Sequence, residues 1–463
     1  MKAAFHTLGC KTNAYETQAV IEQFEAAGYE IVDFSGIADV YVINTCSVTA
    51  EAARKSRQML RRAKGKNPNA VVAACGCFAQ EAKEKLLKDG SVDLCIGNNE
   101  KSALLSMVTD YCRPRKEASD TPENLVSHSS PHAEDGMPPA SASDAALLVT
   151  DLTHCRQYET QMISNAGSHV RAYVKIQDGC DRFCSYCIIP FLRGRSRSRE
   201  LSAILSEVQT LAAQGIREIV LTGIDISDFR IEDRTPDESF LALLSGLHRI
   251  EGIERIRLGS LEEGILSSAF IQQLKDFPKL CPHFHLSLQS GSNAILARMN
   301  RKYSTEEFEE AVRMLRETFR DPAITTDIIC GFPGETEAEF EETLVFAERI
   351  GFSQMHVFPY SRRKGTKADK MDGQLSRAEK AARCARLIEA GEKMQDAFMK
   401  SFLGREVSVL LEEEVRYQEK TYFIGFTPEY IRTLVPAQGH HINKIVTIVP
   451  ERTGQFQKER ILL

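Results

Sequence analysis

The sequence predicts an α/β protein in three parts: a small parallel-sheet domain, a partial (β/α)6 barrel and a small all-β barrel. Three observations carry this. Strand-like and helix-like patterns alternate from residue 1 to about 110 and again from Arg171 to about 398. A Pro-, Ser- and acid-rich stretch separates the two runs, and the final residues contain only short β-type segments. At 463 residues the chain has room for roughly three domains of about 150 residues each. Its 43% hydrophobic and 26% charged content is that of a globular protein and excludes wholesale disorder or a membrane channel. Net charge is −6, so a nucleic-acid partner would have to be met by a local basic patch. No signal-type apolar segment and no run of about 20 apolar residues occurs, which predicts a cytoplasmic chain with no membrane partner.

The first domain, expected over 1–112, is written as AAFHTLG, NAYETQAVIEQFEAAG, DVYVINTC, TAEAARKSRQMLRRAKG, AVVAACGC and QEAKEKLLKDG. Three of its strands run into cysteine at their C-terminal ends: Cys10, Cys46, and the pair Cys75 and Cys77. That edge of an open α/β sheet is where ligands bind. Residues 113–167 read as a linker, disordered in its first half. Residues 168–398 supply six strand candidates, RAYVKIQ, EIVLTG, RIRLGS, HFHLSLQ, TTDIICG and SQMHVFPY, with helical stretches between them, hence a partial parallel barrel. Residues 399–463 hold REVSVLLEEE, KTYFIGFTPEYIRTLVP and NKIVTIVPER, the pattern of a small β-barrel.

Thirteen cysteines in a reducing compartment point to metal or redox chemistry wherever they cluster. Cys180, Cys184 and Cys187 lie in DGCDRFCSYCIIP with CxxxCxxC spacing, directly after a strand. Three thiolates on one loop can hold three irons of a 4Fe-4S cubane and leave the fourth iron open to a small-molecule chelate. Structural zinc needs four closed ligands, and no fourth His or Cys follows nearby. Cys95, Cys112, Cys155, Cys281, Cys330 and Cys384 stand alone and read as core or incidental thiols.

The CxxxCxxC loop resembles that of radical S-adenosylmethionine enzymes. Together with TLGCKTNAYET, INTCSVT and CGCFAQ ahead of it, the chain resembles the methylthiotransferase family of that superfamily. The resemblance implies a flavodoxin-like first domain with a second 4Fe-4S cluster on Cys10, Cys46 and Cys77, a radical S-adenosylmethionine barrel, and an RNA-binding TRAM barrel at the C-terminus. Cys77 is preferred because the family motif Gly-Cys-x-Ala-Gln reads here Gly76, Cys77, Phe78, Ala79, Gln80. Cys75 is its competitor, since strand alternation would turn both to one face. Cys180, Cys184 and Cys187 take the catalytic cluster, whose open iron binds S-adenosylmethionine.

The same resemblance offers Tyr186, Thr222, Gly223, Ser260, Glu262, Gln289, Ile329 and Gly331 as cofactor contacts. Ile224 and Asp225 depart from the polar pattern expected after Thr222 and Gly223. Ser260, Glu262 and Gln289 could equally cap the following helices. The run FLRGRSRSRE puts Arg193, Arg195, Arg197 and Arg199 within seven residues, with no acid until Glu200, as suits an RNA backbone, and Arg362 and Arg363 begin a second basic stretch. The alternative for the first run is a solvated loop with salt bridges. Tyr422, Phe423, Phe426 and Tyr430 are candidate stacking faces.

The expected partners are the anticodon loop of a tRNA and an electron donor such as flavodoxin or ferredoxin, with a monomer expected. The expected reaction replaces the C2 hydrogen of N6-threonylcarbamoyladenosine with a methylthio group, because VKIQDGCDRFCSYCIIPFLRGRSRSR is most similar to that branch. The alternatives are isopentenyladenosine, a ribosomal-protein aspartate, or a non-catalytic RNA-binding protein with structural zinc.

Overall fold

A computed structural model describes residues 1–119, 146–167, 169–437 and 439–463. The chain divides into two compact units. The first comprises Met1–Cys155 with Glu159–Gln161 and Phe191–Arg193; the second holds the remainder.

In the first unit, β1 (Lys2–Thr7), β2 (Glu30–Val32), β3 (Val40–Thr45), β4 (Val71–Gly76), β5 (Leu94–Ile96) and β6 (Ala146–Leu148) form one sheet in the order β2-β1-β3-β4-β5-β6. Every pairing is parallel. Helices cover both faces, so β3 and β4 are buried along their whole length and read as continuous apolar runs. Alternation sorts them: Tyr41, Ile43, Val72 and Ala74 pack on one face, Val40, Val42, Val71, Ala73 and Cys75 on the other. The order is the flavodoxin-like one with a strand added at the edge.

That added strand falls in the segment expected to be linker. β6 pairs with β5 through Leu94↔Ala146, Cys95↔Leu147 and Ile96↔Leu148, and the helix Leu104–Ser119 runs past the expected boundary at 112. Three residues are too short for a periodic signal, and their edge position needs only a backbone ladder. The expected disorder falls on residues 120–145, outside the described residues.

The second unit contains the expected six βα units. β7 (Arg171–Lys175) leads into β8 (Gln177–Asp178), which pairs antiparallel with β9 (Arg197–Ser198). β10 (Glu218–Thr222), β11 (Arg255–Leu258), β12 (Ser260–Leu261), β13 (His283–Gln289), β14 (Ala323–Cys330) and β15 (Gln354–Pro359) follow. The parallel sheets β11-β10-β7 and β12-β13-β14-β15 continue one another, because β11 and β12 are one strand broken at Gly259. Four of the helices begin with reciprocal capping boxes, Thr235/Glu238, Ser304/Glu307, Thr336/Glu339 and Ser376/Glu379, which fix where each leaves its preceding loop.

The C-terminal strands β16 (Val407–Tyr417), β17 (Lys420–Phe426), β18 (Arg432–Pro436), β19 (Ile445–Ile448), β20 (Thr453–Phe456) and β21 (Glu459–Leu462) form a sheet in the order β19-β16-β17-β18-β21-β20. This all-β module belongs to the same compact unit as the barrel. Arg255 donates to the Phe426 and Ser408 carbonyls and Arg257 to those of Thr427 and Pro428, while both arginines and Arg171 surround buried Glu218. Phe426 stacks on Tyr430 at 4.7 Å, with Arg171 over both rings. Those two aromatics, candidates for RNA stacking, are thus used inside the protein, and Phe423 is core.

Candidate functional site

In the first unit, β1, β3 and β4 are neighbours in the sheet, so the cysteines after their C-terminal ends meet at one edge. Cys10 precedes the helix Lys11–Ala26, Cys46 follows β3, and Cys77 opens the helix Cys77–Lys88. Gly9 lies against Cys46: a Cβ on Gly9 would stand 3.0 Å from the Cys46 sulfur, and its φ of +103° is left-handed. Cys46 feels both Cys77 and Cys10 electrostatically, and burial pushes its thiol up to about 11. Burial also raises Cys77, opposed by Arg193, which hydrogen-bonds it.

Cys75 is elsewhere. Its neighbours are Lys101, Glu16, Glu159 and Cys95, and its side chain packs in the apolar layer with Val20, Phe24 and Leu94. The alternation that would have put it beside Cys77 stops at Gly76, whose φ of +89° ends the strand and re-aims the chain. A Cβ there would come within 2.4 Å of the Thr45 carbonyl, so Gly76 is required by space as well as by backbone angle.

Polar groups converge on this cysteine edge. Asn98 donates to Cys77 Sγ at 3.7 Å, and its side-chain and backbone oxygens each accept from Lys101 Nζ at 3.0 Å. Arg193 donates to Asn13 Oδ1 at 2.7 Å and to Glu16 Oε1 at 2.9 Å, and Lys101 closes the network on Glu16 Oε2 at 3.0 Å. Glu16, Lys101 and Arg193 are all fully buried. Donors and cations beside thiolates stabilise their charged form, the form that ligates iron.

In the second unit the loop bearing Cys180, Cys184 and Cys187 leaves β8 and is pinned on several sides. Ser185 donates from its backbone to Met299 and from its hydroxyl to Arg298, and Asn300 reaches the carbonyl of Phe183. Phe183 is left-handed at φ +49°, giving the loop its bend. The three thiols sense one another, and burial drives Cys187 up to about 12 and Cys180 higher still. Arg301 donates to Cys184 Sγ at 3.3 Å and pairs with Glu262. Nothing in the sequence alone marked Arg301; its signal is the loop that follows the helix Asn293–Arg298 and returns to the cysteines.

The cofactor-contact candidates distribute as follows. Tyr186 and Ile329 share one small apolar cluster with Phe332 and Tyr360. Thr222 ends β10 and Gly223 follows it, where a Cβ would stand 3.0 Å from both the backbone and the side-chain oxygen of Gln177; that side-chain oxygen accepts from the Ile224 and Asp225 backbone N–H groups at 3.0 and 2.9 Å. Asp225 pairs with Arg182 at 2.6 Å. Glu262 is bound to Arg301 and near Arg182 at 3.9 Å; burial outweighs both arginines and holds its carboxyl above the usual range. Gln289 ends β13 with φ +68°, and Ser260 is exposed. Gly331 has φ +71°, and a Cβ there would stand 2.2 Å from Lys380 Cγ.

Among the described residues, no three cysteines have their sulfurs all within 4.8 Å of one another. A cubane spreads its thiolates farther apart than a single ion does, so this spacing is not that of three thiolates gathered on one zinc ion.

The arginine run is a correction. Arg193 is bonded to Glu16 as above; Arg199 pairs with Glu207 at 2.6 Å; Arg197 lies 3.7 Å from Asp178. These three are buried and are not offered to an RNA backbone. Arg195 is half-buried, paired with Asp181 at 3.2 Å and laid over Phe183. Of the second stretch, Arg362 is exposed and pairs with Asp369 at 2.6 Å, whereas Arg363 is buried. The acids come from other elements, which local sequence cannot reveal. Two cysteines read as solitary, Cys330 and Cys384, share a thiol hydrogen bond.

Comparison with known proteins adds the decisive observation. Residues 2–97 match the model described as Uncharacterized protein family UPF0004, and residues 174–347 match the Radical SAM superfamily. The chain is 37% identical to the threonylcarbamoyladenosine tRNA methylthiotransferase MtaB of Bacillus subtilis, covering 98% of this chain and 96% of that protein. It belongs to the methylthiotransferase family of radical S-adenosylmethionine enzymes.

Another family member, the tRNA-2-methylthio-N(6)-dimethylallyladenosine synthase of Acetivibrio thermocellus, is 34% identical over 90% of this chain and 82% of its own. Among solved structures, the radical S-adenosylmethionine methyltransferase TsrM of Kitasatospora setae shares the fold, with a TM-score of 0.56 at 15% identity over 79% of this chain and 76% of that one. As a methylthiotransferase the chain is an enzyme that acts on tRNA, with S-adenosylmethionine and 4Fe-4S clusters as its cofactors. Among the described residues no helix is long and apolar enough to cross a membrane.

Proposed function

We propose that this methylthiotransferase converts N6-threonylcarbamoyladenosine beside the tRNA anticodon to its 2-methylthio derivative, using two 4Fe-4S clusters. The observation that carries the substrate is the end-to-end likeness to the Bacillus subtilis enzyme, whose name states that substrate. One cluster is assigned to Cys180, Cys184 and Cys187 and the other to Cys10, Cys46 and Cys77, because each set converges from its own loops with donors aimed at sulfur. When bound, the reduced cluster and S-adenosylmethionine supply the radical that removes the C2 hydrogen, which is too weakly acidic for a general base.

The residues of this chain prepare that chemistry. Tyr186 and Ile329 present an apolar wall for an adenine face, and Gly331 makes a left-handed turn so close to Lys380 that no side chain fits there. Thr222 and Gly223 bring main-chain groups to the strand edge, with Ser260, Glu262 and Gln289 at the neighbouring strand ends. Arg301 and Arg182 pair with Glu262 close to the cysteine loop. Half-buried Arg195 and exposed Arg362 are the candidates left to meet phosphate. The reading keeps the barrel at 168–398 and the RNA-binding module at 399–463, with a flavodoxin or ferredoxin as donor, a monomer, and a cytoplasmic tRNA.

Mass analysis of tRNA nucleosides from cells lacking the gene tests the substrate. The 2-methylthio derivative of threonylcarbamoyladenosine should vanish while its unmethylthiolated precursor accumulates. Loss of the methylthio group from isopentenyladenosine instead would favour the second reading, which the Acetivibrio relative supports.

A further inference from the structure

The inward face of the barrel carries a second constellation that the cysteines and cofactor candidates do not use. His285 on β13, Asp327 on β14 and His356 on β15 sit on three adjacent parallel strands, with Asp327 directly opposite His356 and His285 directly opposite Thr325. The strand neighbours Leu286 and Ile328 are fully buried on the outer, helix-packed side, and Met355 packs against Gly391 of the helix Arg377–Lys400. Alternation therefore turns His285, Asp327 and His356 to the lumen. Ile329 lies two residues beyond Asp327 on the same face, about 7 Å farther toward the strand ends.

The ligand atoms of these three side chains all lie within 4.8 Å of one another. His285 Nε2 stands 3.5 Å from Asp327 Oδ2, close to the roughly 3.3 Å that two ligands of one zinc-sized ion keep at bond lengths near 2.05 Å. The two imidazole rings are 6.0 Å apart between centroids. His285 Nδ1 is 3.0 Å from Thr325 Oγ1. With Nδ1 donating to that hydroxyl, the Nε2 lone pair faces the carboxylate, an arrangement that a cation between them relieves. A ligating histidine whose other nitrogen is fixed by such a partner is the usual outer-shell arrangement.

We propose that His285, Asp327 and His356 hold a divalent transition-metal ion in the barrel lumen, with coordination positions left open. Two imidazoles and one carboxylate suit zinc or ferrous iron, whereas calcium and magnesium prefer sets made of oxygen. The open positions take an oxygen donor from whatever occupies the lumen. The site shares no ligand with either cysteine set.

The test counts zinc and iron together in anaerobically reconstituted full-length protein dialysed against zinc chloride. The expected result is one zinc per chain with the iron content unchanged. His285→Gln, Asp327→Asn and His356→Gln should each abolish stoichiometric zinc while iron stays constant. Thr325→Val, which keeps the side-chain shape and removes the hydroxyl, should weaken zinc binding by about tenfold or more. The proposal is overturned if no zinc is retained, which would leave an ordinary histidine–carboxylate contact. It is overturned equally if the variants retain as much zinc as the parent, or if zinc enters only as iron leaves, which would place it on the cysteines. Because the readout is metal content, its failure is distinguishable from failure of the tRNA reading.

Discussion

Replacing Arg193 by Ala separates a structural arginine from an RNA contact. The guanidinium is fully buried, donates to both carboxylate oxygens of Glu16 at 2.9 and 3.2 Å and to Asn13, and touches Cys77. Its removal takes from Glu16 the guanidinium that contacts both carboxylate oxygens and leaves the Lys101 pair to carry more of the charge. Breaking one partner from a buried pair costs about 3–5 kcal/mol, because the remaining charge stays desolvated. For a unit of this size each kcal/mol moves the midpoint by about 2–4 °C, so the first unit's melting transition should fall by roughly 6–20 °C. The iron held near Cys77 should fall with it, toward half of the total, while the slope of log tRNA affinity against log salt stays constant. Differential scanning calorimetry, iron analysis and a salt titration of tRNA binding read the three quantities. A slope reduced by about 0.7–0.9, one phosphate's worth, with unchanged melting and iron would refute the reasoning and return Arg193 to the RNA interface. Arg195→Ala is the complement: its exposed pair with Asp181 contributes under about 1 kcal/mol, so only the salt slope should respond.

Further expectations concern the cysteines, one glycine and acid stability. Cys77→Ala should lose about four irons and methylthiolation while reductive cleavage of S-adenosylmethionine continues, whereas Cys75→Ala should keep its iron; the reverse pattern would move the third ligand. Replacing Cys180, Cys184 and Cys187 together by Ala should abolish that cleavage and halve the iron, and full retention of iron would defeat the assignment. Gly331→Ala places a side chain at φ +71° and against Lys380, so cofactor binding measured by equilibrium dialysis should weaken; an unchanged affinity would remove this turn from the pocket. Glu218 is buried, which alone would raise its carboxyl, but Arg257, Arg171 and Arg255 together hold it below the usual range. Its stabilising contribution is therefore complete above about pH 5 and is lost as pH falls through the depressed value, and Glu218→Gln should flatten that limb of an acid unfolding curve followed by circular dichroism.

What could be read from the sequence was whatever the chain writes locally. Strand-end cysteines and six alternating βα units follow from periodicity, and parallel order then brings Cys10, Cys46 and Cys77 to one edge. The fate of the arginine run was not legible, because Glu16, Asp178 and Glu207 reach it from a distant helix, a preceding strand and a following helix. Cys75 was misplaced by carrying strand alternation one residue too far, past a glycine whose backbone angle stops it. β6 escaped notice because three edge residues leave no period, and the lumen triad because its members lie on separate strands, 42 and 29 residues apart in sequence.

The floor of the barrel bears on how such an enzyme can evolve. Arg255 and Arg257 are satisfied partly by carbonyls of the C-terminal β module, and Arg171 partly by Glu412 and the Phe426–Tyr430 stack. A chain ending at Lys400 would strand these guanidinium groups around a single carboxylate. The module therefore cannot be shed or exchanged by recombination as an independent cassette: a lineage that discards it must also rewrite Arg171, Arg255 and Arg257. By the same logic a truncation cannot report on RNA affinity alone, since it unseats the catalytic scaffold together with the C-terminal β module.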